Sequence, residues 1–324
     1  MGRDLATEAE LVKLARALDT TTEGVAFARP LDHGDIRQLR ERVVGALYDE
    51  HRMVFQRVAT ISRLLPTPIN VRIALRAFSP LLAARVAGEM TPDRAAELAN
   101  RMPVEYLAES CVHLDPRRAG PLISRIHSDR VLAVVTELVS RGEYITLGRL
   151  LDAATERIVG DVASMVSDEA MLRIGFYAES DTHLTRAVAA LPSGRLRGVV
   201  RTALSGPADL RSAGLAMIGR LTDDRLRGQL AEYAAEAGDD TLTRVLHTAL
   251  DDGAVAELLT AVAAMGAAAQ QRVLTLPALE DQDLLVRLVD AAVRHGLVPR
   301  LSALVGQMDG DMLRRVAAAI AVKR

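Results

Sequence analysis

Three dipeptides, Thr67-Pro68, Thr91-Pro92 and Asp115-Pro116, recur at a constant interval of 24 residues, and the apolar pattern carried behind each of them constrains the chain more than any other feature. Each joins a short polar side chain able to cap a helix to a proline, whose fixed φ and missing N–H suit a first turn. The apolar positions keep step from copy to copy. Val71, Ala74, Leu75 and Phe78 correspond to Ala95, Leu98, Ala99 and Met102, and then to Ala119, Leu122, Ile123 and Ile126. Each set has the i, i+3, i+4, i+7 spacing of one helical face. A second apolar set comes next in every copy: Ala83, Ala87 and Met90; Leu107, Cys111 and Leu114; Val131, Val135 and Leu138. One unit therefore reads as two short helices, and neither buries its stripe alone, whereas stacked neighbours bury each other's. The expected fold is all-α: a right-handed helical-repeat superhelix, or α-solenoid, of short antiparallel helix pairs with about 24–28 residues per pair.

Residues 1–34 read as an amphipathic helix, with Leu11, Leu14, Ala15 and Leu18 on one face, followed by a Thr-, Gly- and Pro-rich linker anchored by Val25 and Phe27. Residues 35–66 read as one longer capping helix ended by Pro66, since the terminal unit of an array needs a polar outer face. The array runs over 67–205. Within it four residues are inserted at 139–142, read as a loop break centred on Arg141, Gly142, Glu143 and Tyr144, and surface loops are where a scaffold carries specificity. From Gly206-Pro207 onward the helices lengthen, so 206–324 reads as a C-terminal array continuing the solenoid.

The side-chain inventory excludes several functions. Aromatic residues are 3% and Trp is absent, which suits closely spaced helices and leaves few stacking platforms for single-stranded nucleic acid. The formal net charge is −2, with both signs interspersed, so the electrostatic footprint of a nucleic-acid binder is missing. Lysine occurs only at Lys13 and Lys323. The single cysteine, Cys111, lies on an apolar stripe and fits a reducing compartment. The longest weakly polar stretch, Ala254 to Ala269, contains Glu257 and is too short to span a bilayer. The expectation is a cytoplasmic protein with no transmembrane segment.

Paired acids are the strongest candidate ligands. Asp223-Asp224, Asp239-Asp240, Asp251-Asp252 and the Asp309/Asp311 pair are of the type that holds hydrated Mg²⁺, yet each falls at a predicted helix start, where Asp caps backbone N–H groups. The seven histidines show no metal-site spacing and no cysteine companions. Cys111 and His113, two apart on a helix, point in different directions. No nucleophile elbow, phosphate-binding Gly-rich loop or dinucleotide fingerprint occurs. These readings give no catalytic residue, no metal site and no cofactor. The densest basic cluster in one unit is Arg117, Arg118, Arg125 and Arg130, and the candidate interaction surface takes Arg117, Arg118 and Arg125 from it together with Arg141, Glu143 and Tyr144 at the inserted loop.

The run Met90-Thr91-Pro92-Asp93-Arg94-Ala95-Ala96-Glu97-Leu98-Ala99, with Met102-Pro103-Val104-Glu105-Tyr106-Leu107 and Leu114-Asp115-Pro116-Arg117-Arg118-Ala119, resembles the intracellular N-terminal helical domain of MgtE-type magnesium transporters. The likeness covers about residues 64 to 200. It implies a superhelical fold and a habit of docking onto other proteins. It does not imply magnesium transport, because the family's regulatory module and membrane pore have no counterpart in this sequence. The expected function is a non-enzymatic scaffold or adaptor that binds a protein partner through its concave or loop surface. The alternative is a sensor holding a small apolar metabolite, a lipid head group or Mg²⁺ in the groove.

Overall fold

The computed structural model describes residues 5–294, 296, 297, 299, 304, 308 and 310–321; Asp309, His295 and Lys323 lie outside them. The described residues form α-helices with three short 3₁₀ turns and no strand. Two compact units divide the chain, residues 10–190 and residues 191–324 with 1–9.

In the first unit the helices are α1 (Leu5–Ala17), of which Glu10 onward belongs here, α2 (His33–Asp49), α3 (Arg52–Ser62), α4 (Thr67–Ala77), α5 (Pro80–Ala87), α6 (Pro92–Ala99), α7 (Val104–Val112), α8 (Pro116–Ile123), α9 (Ser128–Ser140), α10 (Tyr144–Leu150), α11 (Glu156–Met165), α12 (Asp168–Phe176) and α13 (Asp181–Ala189). Packing is sequential. The helices α3, α5, α7, α9, α11 and α13 touch in succession, and so do α4, α6, α8, α10 and α12. Pro80, Val104 and Ser128 open α5, α7 and α9, 24 residues apart. Prolines at helix starts α5, α6 and α8 stand where no N–H is needed.

The caps differ in detail from the sequence reading. Of Thr67, Thr91 and Asp115, only Asp115 caps with its side chain, accepting from the Arg117 N–H at 3.1 Å. Thr67 sits one residue inside α4, its hydroxyl donating to Glu97 and accepting from Arg94. The helix expected over 35–66 is two helices, α2 and α3, broken at Glu50 and His51. Of the residues inserted at 139–142, Val139 and Ser140 extend α9, and Arg141 and Gly142 form the turn that separates it from α10, so the break falls where the sequence placed it. Gly142, with φ +71°, ends α9: the Glu143 N–H reaches back to Leu138 O and the Gly142 N–H to Val139 O, the bonding pattern that a left-handed residue makes possible.

Burial within α4 is incomplete. Ala95, Leu98, Ala99, Ala119 and Leu122 are buried, but Leu75, the corresponding position in α4, is exposed. The main neighbour of α4 is α6, and a helix covered on one side keeps its other face in solvent. The linker is pinned as its apolar residues imply: Val25 is fully buried with Leu11, Leu14 and Ile36, although Phe27 is exposed.

The second unit comprises α14 (Ser193–Ser205), α15 (Ala208–Arg220), α16 (Asp224–Ala235), α17 (Asp239–Asp251), α18 (Val255–Ala264), α19 (Ala267–Leu274), α20 (Gln282–Arg294) and α21 (Gly310–Ala321). Here α14 packs on α15 and α16, α16 on α18, α15 on α17 and α18, and α20 on α18 and α21. Asp223 caps α16, accepting from the N–H groups of Arg225 and Leu226 at 2.8 and 3.1 Å. Asp251 and Asp252, expected at a helix start, close α17 instead. Gly253, φ +74°, takes the left-handed conformation that ends the helix there, so α18 begins only at Val255. No helix among the described residues is long and apolar enough to cross a membrane.

Candidate functional site

Helices α3 to α8 line an open cavity of about 220 Å³ between the two helix successions, walled by Ile61, Ile73, Phe78, Met90, Met102 and Cys111 among others, with alanines of α4, α5 and α6 between them. The wall is almost wholly apolar because its few polar groups are already occupied. The buried Asn70 amide donates to Ser62 O at 2.7 Å and Leu65 O at 3.0 Å, and the Ser62 and Ser110 hydroxyls donate to Ala59 O and Tyr106 O. Nothing in the wall asks for a polar ligand. Burial pushes the Cys111 thiol up to about 12, so at neutral pH it is an inert, apolar wall group and not a nucleophile.

Two polar clamps hold the α3 side of the cavity. Arg94 of α6 reaches the end of α3, its Nη2 donating to Ser62 O at 3.1 Å and Leu65 O at 2.7 Å, and its Nη1 pairs with Glu97. These bonds satisfy carbonyls that a helix C-terminus leaves open. Glu89, between α5 and α6, is the second hub. It accepts from the Tyr48 hydroxyl at 2.6 Å, the Gln56 amide at 2.9 Å and Arg118 Nη1 at 2.5 Å, with Arg52 at 3.3 Å. Arg118 lies 4.3 Å above the Tyr48 ring and Arg85 5.0 Å from it. Burial works to raise the Glu89 carboxyl, but the bonds from Tyr48 and Gln56 and the Arg118 charge outweigh it and hold the group below the usual carboxylate range.

Outside the cavity, α3 and α4 carry exposed stripes. Met53, Arg57, Ile61 and Leu64 lie at helical spacing along α3 and its end, and Ile69, Arg72, Ile73 and Arg76 along α4. Leu64 is 81% exposed, Met53 64% and Ile61 57%. Arg57, Arg63, Arg72 and Arg76 are exposed and have no carboxylate in salt-bridge range among the described residues. The sequence reading did not single out these stripes. The signal available was the run from His51 to Gly88, which contains arginines and no acid.

The surface candidates occupy three places. Arg117 and Arg118, at the start of α8, pair with Asp115 at 3.0 Å and Glu89 at 2.5 Å. Arg125, just past α8, pairs with Asp93. Arg141, Glu143 and Tyr144 sit at the turn from α9 to α10, where Arg141 pairs with Glu137, Glu143 with Arg16, and Arg173 lies 6.0 Å from the Tyr144 ring. Each charged member is thus engaged by its own chain. Described acids of these pairs are likewise engaged by their own chain: Asp223 by the first N–H groups of α16, Asp239 by Arg272, Asp251 by Arg287, Asp252 by Ser212, and Asp311 by Arg314 and Arg315. Among the described residues no three His, Cys, Asp or Glu side chains gather as metal ligands.

A buried charge cluster was also missed. Lys13 of α1 is 2% exposed, with Nζ 2.7 Å from Glu10 and 3.9 Å from Glu179. Glu179, before α13, accepts from Arg40 of α2 at 2.7 Å, and its backbone carbonyl accepts from Arg37 at 2.6 Å. Arg149 Nε stands 3.7 Å from the other carboxylate oxygen. Desolvation lowers the Lys13 pKa against the opposing pull of Glu179 and Glu10. Desolvation would raise Glu179, but Lys13 and Arg40 bring it down below the usual range. The cluster fastens α1 and α2 to the segment around α10 and α13. The rarity of lysine was its one mark in the sequence.

Comparison with known protein families, with curated proteins and with solved structures finds no match to this chain.

Proposed function

We propose that this chain is a non-enzymatic helical-repeat scaffold that takes an apolar segment of a protein partner into the cavity between α3 and α8. In this reading the helix pairs form a right-handed superhelix like the N-terminal domain of MgtE-type transporters, in fold and docking habit alone. A cytoplasmic setting belongs to the same reading, supported by a lone thiol and no disulfide. The observation that carries it is the cavity: an apolar space of about 220 Å³ whose polar neighbours are all engaged, beside helices that expose further apolar side chains. Apolar concavities of this kind accept anchoring side chains of a partner.

The test places a photoreactive residue at Met102, inside the cavity, and irradiates native cells. A discrete protein adduct is expected, and it should disappear when Ala99→Phe fills the space. No adduct, or one indifferent to Ala99→Phe, refutes the reading. The apolar, fully satisfied wall also supports a second reading, a small apolar metabolite as occupant. A thermal-shift series with apolar compounds separates the two, since a ligand of the folded state raises the midpoint.

A further inference from the structure

We propose that the outward faces of α3 and α4 dock on an anionic lipid bilayer. This goes beyond the scaffold reading and uses a different surface, sharing only Ile61 and Ile73 with the cavity wall. From His51 to Gly88 the chain has six arginines and no acidic residue. Arg52 and Arg85 are engaged internally, the one with Glu89 and the other against the Tyr48 ring. The remaining four, Arg57, Arg63, Arg72 and Arg76, are exposed and unpaired among the described residues. Elsewhere most arginines of the first unit face an acid of their own chain: Arg40 meets Glu10 and Glu179, Arg94 meets Glu97, Arg125 meets Asp93.

Charge and apolar surface are interleaved rather than segregated. Along α4 the exposed stripe reads Ile69, Arg72, Ile73, Arg76, and along α3 it reads Met53, Arg57, Ile61, Leu64. An apolar partner would cover the isoleucines and leave four guanidinium groups desolvated without an anion, which is costly. An acidic surface would satisfy the arginines and leave Leu64, at 81% exposure, in water. The bilayer interface offers both, phosphates lying above acyl chains. Arginine stems lie along the apolar layer while their heads reach phosphate oxygens. Fluid headgroups also adapt to any arginine spacing, whereas a protein partner would need an acid matched to each. With no helix long enough to span among the described residues, the attachment is peripheral.

The experiment is co-sedimentation of the full chain with vesicles of phosphatidylcholine alone or mixed with phosphatidylglycerol, at low and high salt. Binding to the mixed vesicles at low salt, weakened by salt, and none to phosphatidylcholine alone are expected. Each basic residue at an anionic leaflet contributes about fivefold in partition. The triple variant Arg57→Gln, Arg72→Gln, Arg76→Gln should therefore lose about a hundredfold, while the control Arg186→Gln, Arg201→Gln, Arg225→Gln, with the same charge change on other exposed positions, should bind as the unaltered chain does. Leu64→Ser with Ile69→Ser should weaken binding at every salt concentration. All these side chains are exposed, so helix content and thermal midpoint should be unchanged; the charge-preserving Arg→Lys triple must still bind. No sedimentation with mixed vesicles at low salt overturns the proposal. So do equal binding to phosphatidylcholine alone, equal loss in the control, or a patch variant that loses a protein adduct while binding vesicles normally.

Discussion

Replacing Glu179 by Gln probes how α1 and α2 are held. The carboxylate is 8% exposed and lies within 4 Å of Lys13, Arg37, Arg40 and Arg149. Counting the side chains buried together, Lys13, Arg40 and Arg149 are set against Glu10 and Glu179, a surplus of about one positive charge. Glu179→Gln removes one of the two anions, and breaking a buried pair by removing one partner costs about 3–5 kcal/mol, because a charge is left desolvated. In a unit of this size that is a fall of about 6–20 °C in midpoint. Lys13→Met alone removes the excess cation and keeps the stem's volume, so it should cost little. Added to Glu179→Gln, it should recover part of the loss. Urea denaturation of the four proteins, followed by circular dichroism, measures the cycle. A loss below about 1 kcal/mol for Glu179→Gln, or simple addition of the two effects, would refute the picture of a mutually dependent buried cluster.

Stability should also fall on acidification: Glu89, Asp115 and Glu179 all have depressed pKa values in the folded chain, so their contribution is full above the ordinary carboxylate range near pH 4.5 and is lost as pH drops through the folded values. Lys13 acts at the other end, since its folded pKa is lowered and its burial penalty fades as pH rises toward 10, so Lys13→Met should flatten the alkaline limb of a stability profile. Gly148→Ala would set a Cβ 2.6 Å from Ile174 O and 2.7 Å from the Tyr177 backbone, and this overpacking of α10 on α12 should cost about 1–3 kcal/mol in denaturant titration. Cys111, held protonated by burial, should resist iodoacetamide at pH 8 and react at the ordinary thiol rate once urea unfolds the chain; rapid alkylation of the folded protein would contradict the raised thiol pKa.

Helix existence and the 24-residue spacing were legible because both are local. A period of i, i+3, i+4, i+7 and a proline at the first turn act through neighbours in sequence, and the helices opened by Pro92 and Pro116 arise from them. Termini were less legible where a side chain had a rival use. Thr67 has the composition of a cap but gives its hydroxyl to Glu97, 30 residues on. Asp251 and Asp252 have the composition of a helix start, and Gly253 made them an end.

Tertiary structure alone decided which faces were covered. Periodicity marks a stripe and is silent on whether a second helix lies against it, so Leu75 and Ala99 have equivalent sequence positions while one is exposed and the other buried. The same limit hid the Lys13 cluster. Glu10 and Lys13 flank an apolar face like any surface pair, and only the arrival of Arg40 and Glu179, 27 and 166 residues further along from Lys13, turned them into a desolvated clamp. Burial and charge pairing are properties of what meets in space, and pattern within one helix carries no record of its distant neighbours.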